Sequence, residues 1–263
     1  MQSYPVYKAD AFTENLFGGN PAAVCPLHEW LPDAVMQQLA AENNLSETAF
    51  IVNEETGLRI RWFTPATEVK LCGHATLASA HIFFNELNYA GDNIVFNSLS
   101  GPLTVTKNGN GKITLDFPAM PPQPASEIPA GLLEGLHVRD AEVYNTAMDY
   151  LVVLPSQKII EELHPNFSSL AVVKSRGVIT TAPGDEVDFV SRCFYPQSGI
   201  DEDPVTGSAH TIMVPYWASR LNKTTFKAIQ LSKRRGQLDC ELKGDRVLMS
   251  GSAVTYMKGE FYL

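Results

Sequence analysis

The sequence predicts an α+β fold of two similar lobes. Three observations carry that prediction: short runs of β-branched and aromatic residues dominate the chain, each half holds one long helical segment led by glycine, and a proline-rich stretch separates the halves. In the first half, residues 4–12, 47–52, 58–64, 93–97, 103–107 and 113–117 read as strands between turn signals. Residues 32–43 read as a helix, with Pro32 in its first turn and Val35, Leu39 and Ala40 on one face. Residues 75–87 and 208–221 are the two glycine-led helices. From residue 117 to 129 come Pro118, Pro121, Pro122, Pro124 and Pro129, which remove backbone donors and suit an extended connector. The predicted lobes are therefore residues 1–117 and 118–263. In the second lobe the order repeats, with strands at 141–147, 150–154, 177–181 and 187–195, a short helix at 157–163, and four β-like stretches between 226 and 263.

Composition supports a packed fold. Of the 263 residues, 44% are hydrophobic and 19% charged, enough to bury a core in one large domain or two of ordinary size. The net charge of −9 argues against nucleic acid as a partner, because phosphate binding rests on Lys and Arg. The one basic cluster, Lys233-Arg234-Arg235, reads as a solvated hairpin turn. Residues 1–10 lack the basic start and apolar run of a signal peptide, and no apolar stretch approaches the ~18 residues of a membrane helix. The expectation is a soluble, cytoplasmic chain with no membrane partner. Cys25, Cys72, Cys193 and Cys240 form no C-x-x-C pair, so free thiols are expected, with Cys25, Cys193 and Cys240 buried as small hydrophobes.

The candidate chemistry gathers at the two helix starts, Cys72-Gly73-His74-Ala75-Thr76 and Thr206-Gly207-Ser208-Ala209-His210. A helix start made of glycine and small residues exposes backbone N–H groups at its positive end, a cradle for an anion. Two such ends facing one cleft between lobes could hold one carboxylate. Before the second start stand Asp201, Glu202 and Asp203. The first two read as helix caps, whereas Pro204 fixes an extended geometry that directs Asp203. Glu47 lies where a helix turns into a strand, in Ser46-Glu47-Thr48-Ala49. Such a carboxylate is commonly a surface residue. Enclosed in an apolar cleft it would instead titrate nearer neutral pH, as a general acid/base requires.

Two other chemistries are disfavoured. Ser208, His210 and Asp203 include the residue types of a hydrolase, but Gly207 directly precedes Ser208 without the G-x-S-x-G spacing of a nucleophile elbow. The six histidines show no H-E-x-x-H spacing, so no metal is expected.

Five blocks, in order, resemble the signature of the PhzF-like (phenazine-biosynthesis) family: Phe17-Gly18-Gly19-Asn20-Pro21-Ala22-Ala23-Val24, Leu45-Ser46-Glu47-Thr48, Phe63-Thr64-Pro65, Leu71-Cys72-Gly73-His74-Ala75-Thr76, and residues 201–210 from Asp201 to His210. The resemblance spans nearly the whole chain and leaves mainly residues 120–188 without a distinctive match. It implies a fold similar to diaminopimelate epimerase, two pseudo-symmetric lobes each with a curved sheet wrapped around a central helix, with the last strand returning to the first lobe. It also implies a homodimer and a cofactor-independent isomerase of biosynthetic type acting on a small carboxylate-bearing metabolite. Glu47 takes the place of the family's acid/base; His74, Asp203 and Ser208 take those of groups around the substrate. Gly73, Ala75, Gly207 and Ser208 would supply donors, and Asn20 would orient the substrate. Diaminopimelate epimerase uses two thiols, but the second helix start here has no cysteine, so a two-thiol racemisation is not expected and Cys72 is assigned to packing. The alternative is a small-molecule binding protein that keeps the cleft without turnover.

Overall fold

The computed structural model describes residues 1–263. It divides into two compact units, Met1–Asp116 with Ser250–Leu263, and Phe117–Met249.

In the first unit, the Gly73–Asn85 helix buries ten residues, among them His74, Ala75, Leu77, Ala78, Ile82 and Phe83. Its sequence is apolar or small on every side, which is the pattern of an interior helix and not of a surface one. The strands Ser3–Ala11, Asn20–Leu27, Glu47–Glu54 and Ala253–Tyr262 pack against it. The Asp33–Asn43 helix is amphipathic, buries only Met36 and Ala40, and stops at Asn44 in the left-handed region at φ 48°. Asparagine tolerates that conformation better than most residues. Together with Phe50, Val52 and Phe63, Met36 and Ala40 belong to a peripheral core cluster.

The strand Asn20–Leu27 was not among the predicted strands, because Gly18, Gly19, Pro21 and Pro26 read as turn residues. It nevertheless pairs antiparallel with Ser3–Ala11 and parallel with Glu47–Glu54. Proline is normally excluded from such a position. Here Ala22, Ala23, Val24 and Cys25 are all buried, so apolar burial on both faces outweighs the missing donors. Gly19 makes the entry possible. Its φ is +57° and a Cβ would stand 2.0 Å from the Ala11 carbonyl oxygen, so no other residue fits where the chain turns into Asn20.

In the second unit, Glu142–Asn145, Asp149–Val153, Gly177–Pro183, Phe189–Tyr195, Thr225–Gln230 and Gly236–Lys243 form consecutive neighbours. The Gly207–Leu221 helix buries Ala209, His210, Ile212, Met213, Val214 and Trp217. Phe189 stacks on Trp217 at 5.9 Å, and the indole N–H donates to Thr181 Oγ1 at 3.0 Å. A second core cluster, around Leu136, Val152, Val178 and Phe194, packs beneath the short helices Leu132–Leu136 and Phe167–Leu170, neither of which was predicted.

Each glycine-led helix is thus the interior helix of its unit, starting at Gly73 and Gly207 with Cys72 and Thr206 as the preceding caps. The reading of Asp201 and Glu202 as helix caps is corrected. Both lie on the strand Ile200–Asp203, where Asp201 is exposed and Glu202 accepts from Arg192 Nε at 2.7 Å and Nη2 at 2.9 Å. All four cysteines are free and buried. No helix is long and apolar enough to cross a membrane.

Candidate active site

Three of the residues singled out in the sequence meet in the first unit. Glu47 opens the strand Glu47–Glu54, His74 is the second residue of the interior helix, and Asn20 opens the strand Asn20–Leu27. Parallel pairing sets Ala22 opposite Glu47, which brings the Asn20 strand end beside the Glu47 strand end. The Glu47 side chain is only 14% exposed, and its Oε2 lies 3.3 Å from His74 Nε2.

The protonation of His74 follows from its neighbours. Burial pushes its pKa down to about 3, so the ring is neutral near pH 7 and its close approach to Glu47 is a contact between a carboxylate and a neutral ring, not an ion pair. Asn20 Nδ2 sits 3.1 Å from His74 Nδ1, and an amide N–H can only donate. Nδ1 is therefore the accepting nitrogen, and the single ring hydrogen is on Nε2, the nitrogen nearer Glu47. Asn20, expected to orient the substrate, is fully buried and donates to His74, so it orients the imidazole. Cys72 completes the group, its Sγ 3.5 Å from His74 Nδ1. Sequence reasoning assigned that thiol to packing, although its place two residues before His74 was the available signal. Gly73 and Ala75 lie in the first turn of the helix, whose start has no side-chain cap.

The second unit assembles a different polar group. Thr206 Oγ1 donates to Asp203 Oδ2 at 2.6 Å, and Gln230 braces the same loop by accepting from Thr206 N at 2.8 Å and donating to the Asp203 carbonyl at 2.7 Å. Asp203 is thereby held at the approach to the helix start that carries Gly207 and Ser208. Arg176 Nη2 donates to Ser208 Oγ at 3.0 Å, while its Nε donates to the buried carboxylate of Asp149 at 2.9 Å and Nη2 reaches the other Asp149 oxygen. Tyr195 lies under the guanidinium at 5.4 Å. Arg176, Asp149 and Gln230 were missed. The first two fall in the stretch without a family match, and only the fold brings them to Ser208.

The hydrolase reading finds no support in this geometry. Ser208 Oγ is engaged by Arg176, and His210 Nδ1 is committed to the Thr206 carbonyl at 2.9 Å. His210 is fully buried and its pKa is pushed down to about 4 by that burial. It stays neutral in the fold while an unfolded chain protonates near pH 6.5, so the unfolded state binds the extra proton between those values. Stability attributable to His210 is accordingly intact above pH 6.5 and declines as pH falls toward 4, by roughly 3 kcal/mol in all. Denaturant unfolding of wild type and His210→Gln at a series of pH values checks this: the variant should show a shallower acid loss, and an unchanged slope would contradict it.

Comparison with known proteins decides the family. Residues 9–259 match the model of the PhzC-PhzF family, phenazine biosynthesis-like proteins. The chain belongs to that family. It is 49% identical over 258 residues to an uncharacterized isomerase of Pseudomonas aeruginosa, covering 98% of each chain. The crystal structure of a PhzF family protein of Enterococcus faecalis superposes with a TM-score of 0.95 at 49% identity over the full length of both chains. A predicted epimerase of Pseudomonas aeruginosa, 18% identical, shares the fold at a TM-score of 0.74 over 99% of both chains. The α+β architecture is therefore that of the PhzF and epimerase structures, and an isomerase-like function goes with the family.

Proposed function

We propose that the chain is a cofactor-independent isomerase that moves a proton between two carbons of a small carboxylate-bearing metabolite, with Glu47 as general acid/base. The observation that carries this reading is the enclosed Glu47 carboxylate standing 3.3 Å from the Nε2 of a neutral imidazole. Glu47 takes a proton from an activated carbon, becoming the acid, and returns it to a different carbon of the same molecule. A base positioned in this way contributes roughly 10²–10⁴-fold. His74 works through Glu47: its neutral ring packs against one carboxylate oxygen at 3.3 Å and leaves the other for the substrate. Charge that develops on the substrate is met by the backbone donors of Gly73 and Ala75, each worth about 3 kcal/mol where water is excluded.

In the second unit, Gly207 and Ser208 are given the task of holding a substrate carboxylate, and Asp203 that of relaying a proton. The bond from Arg176 to Ser208 supports the first of these roles, because it adds a fixed cation beside the helix start. A cytoplasmic, homodimeric state is part of the same proposal and is supported by the family resemblance.

The test is solvent-deuterium incorporation. Small carboxylic acids that raise the melting temperature are incubated with the protein in D2O and read by NMR. Deuterium should appear at carbon in at least one of them only when protein is present. A set of verified ligands that exchange nothing would reduce the chain to a binding protein.

A further inference from the structure

An arginine side chain carries five N–H groups, and the fold commits three of those on Arg176. Nε donates to the Asp149 carboxylate at 2.9 Å, one Nη2 hydrogen reaches the other oxygen of that carboxylate, and the second goes to Ser208 Oγ at 3.0 Å. Both hydrogens of Nη1 are left without a protein acceptor, on a side chain that is 35% exposed. The guanidinium is planar, so Nη1 shares one edge with the Nη2 hydrogen that meets Ser208, and an oxygen accepting from Nη1 on that edge lies beside Ser208 Oγ. Ser208 accepts from Arg176, which leaves its own O–H free to donate to a ligand. Behind this edge Asp149 is fully enclosed and balances the guanidinium charge one for one, while the Tyr195 ring supports the guanidinium at 5.4 Å.

From this fork we propose that Arg176 is a specificity-determining residue: Nη1 binds one oxygen of the substrate's acid group while the Ser208 hydroxyl meets the other, and the pairing of Arg176 with Asp149 restricts the site to singly charged groups, excluding sulfate- and phosphate-type dianions. The attraction of an anion to fixed donors grows in proportion to its charge, whereas the cost of taking it out of water grows as the square of that charge. An unpaired cation offsets the cost of a second negative charge. A cation already neutralised by Asp149 does not, so the site offers directed donors without surplus positive charge. Bidentate docking on the guanidinium is closed as well, because the Nε–Nη2 edge holds Asp149 and the Nη2 end of the remaining edge holds Ser208. The ligand therefore gains one charge-assisted bond from Arg176, and Ser208 sets where its second oxygen stands. Arg176 and Asp149 both lie between residues 120 and 188, apart from the blocks that carry Glu47 and His74. Selection of the acid group is in this way separate from movement of the proton. The inference rests on the acid-holding role proposed for Gly207 and Ser208, and not on proton transfer by Glu47.

The experiment records proton–nitrogen correlation spectra of the full-length protein and follows the Gly207 and Ser208 amides as acetate, methanesulfonate or sulfate is added at constant ionic strength. Methanesulfonate and sulfate share a tetrahedral shape and differ in charge. In the wild type, acetate and methanesulfonate should shift these amides saturably, and sulfate should bind at least ~10-fold more weakly than methanesulfonate. Asp149→Asn removes the counter-charge and should raise the affinity for sulfate relative to methanesulfonate by ~10-fold or more. Arg176→Lys keeps a cation against Asp149 but gives up the fork, and should weaken acetate by ~10-fold or more. Sulfate that binds the wild type as tightly as methanesulfonate overturns the charge selection. No response to acetate, or an acetate affinity unchanged in Arg176→Lys, overturns the contact with Arg176. Should a variant fail to fold, the wild type still decides both statements: the sulfate comparison needs no substitution, and acetate should move the Arg176 Nη1 signals, which unmoved would overturn the contact. Glu47→Gln should show the same order of affinities as the wild type even where it exchanges no deuterium, so a failure of proton transfer and a failure of this site are told apart.

Discussion

Glu47→Gln is expected to lower the rate of deuterium exchange by about 10²–10⁴-fold while leaving ligand-induced stabilisation nearly unchanged. Glutamine keeps the length and the polar contact but has no basic oxygen able to take a proton from carbon. Its amide fills the same space beside His74, so the local packing of a side chain only 14% exposed is preserved. Glu47→Asp gives a graded control. The carboxylate survives but retreats by the length of one methylene, and displacements on the order of 1 Å at a reacting group cost up to roughly 10²-fold. The expected order of rates is wild type, then Glu47→Asp, then Glu47→Gln. His74→Gln should fall between wild type and Glu47→Gln and should also shift the pH profile of exchange, because the neutral ring packed 3.3 Å from the Glu47 carboxylate is replaced while the base itself remains. Near-normal exchange by Glu47→Gln on a verified substrate would end the assignment.

How much of this was legible in the sequence differs from element to element, for physical reasons. The interior helices announced themselves because a helix apolar on all sides and led by glycine has few other places to go, and both were placed within two residues of their starts. The strand Asn20–Leu27 was not, since two prolines and a preceding pair of glycines outweighed its apolar middle in a local reading, and only the neighbouring strands reveal that both of its faces are covered. The same holds within the site. Glu47 and His74 were found through family blocks, but nothing local stated that Asn20 would donate its amide to His74, or that the Cys72 sulfur would lie 3.5 Å from the ring. These are products of parallel pairing between strands and of the helix start docking against them. Glu202 shows the opposite error: an acid shortly before a helix suggested capping, whereas the strand geometry hands Glu202 to Arg192.

The residue that sequence reasoning passed over entirely carries the other large effect. Arg176→Leu is expected to destabilise the second unit by about 3–5 kcal/mol, the usual cost of removing one partner from a buried ion pair. Asp149 is fully enclosed at its side chain, while Arg176 is 35% exposed, so the loss strands the carboxylate and not the cation. That asymmetry dictates the pattern in a double-mutant cycle. Asp149→Asn in the Arg176→Leu background should recover a large part of the loss, because it replaces a stranded charge with a neutral amide that can still accept a hydrogen bond. Urea unfolding of the four proteins of the cycle checks this, and simple additivity of the two substitutions would show that the pair is not coupled. The consequence extends to Ser208, whose hydroxyl accepts from the same guanidinium at 3.0 Å. With Arg176 gone, the helix start keeps its backbone donors but loses the only cation fixed against Ser208, so affinity for a carboxylate ligand should fall even under conditions where the variant remains folded. A weakened ligand response that tracks Arg176 and not the stability of the double variant would tie the buried Asp149–Arg176 pair to the placement of a charge beside Ser208.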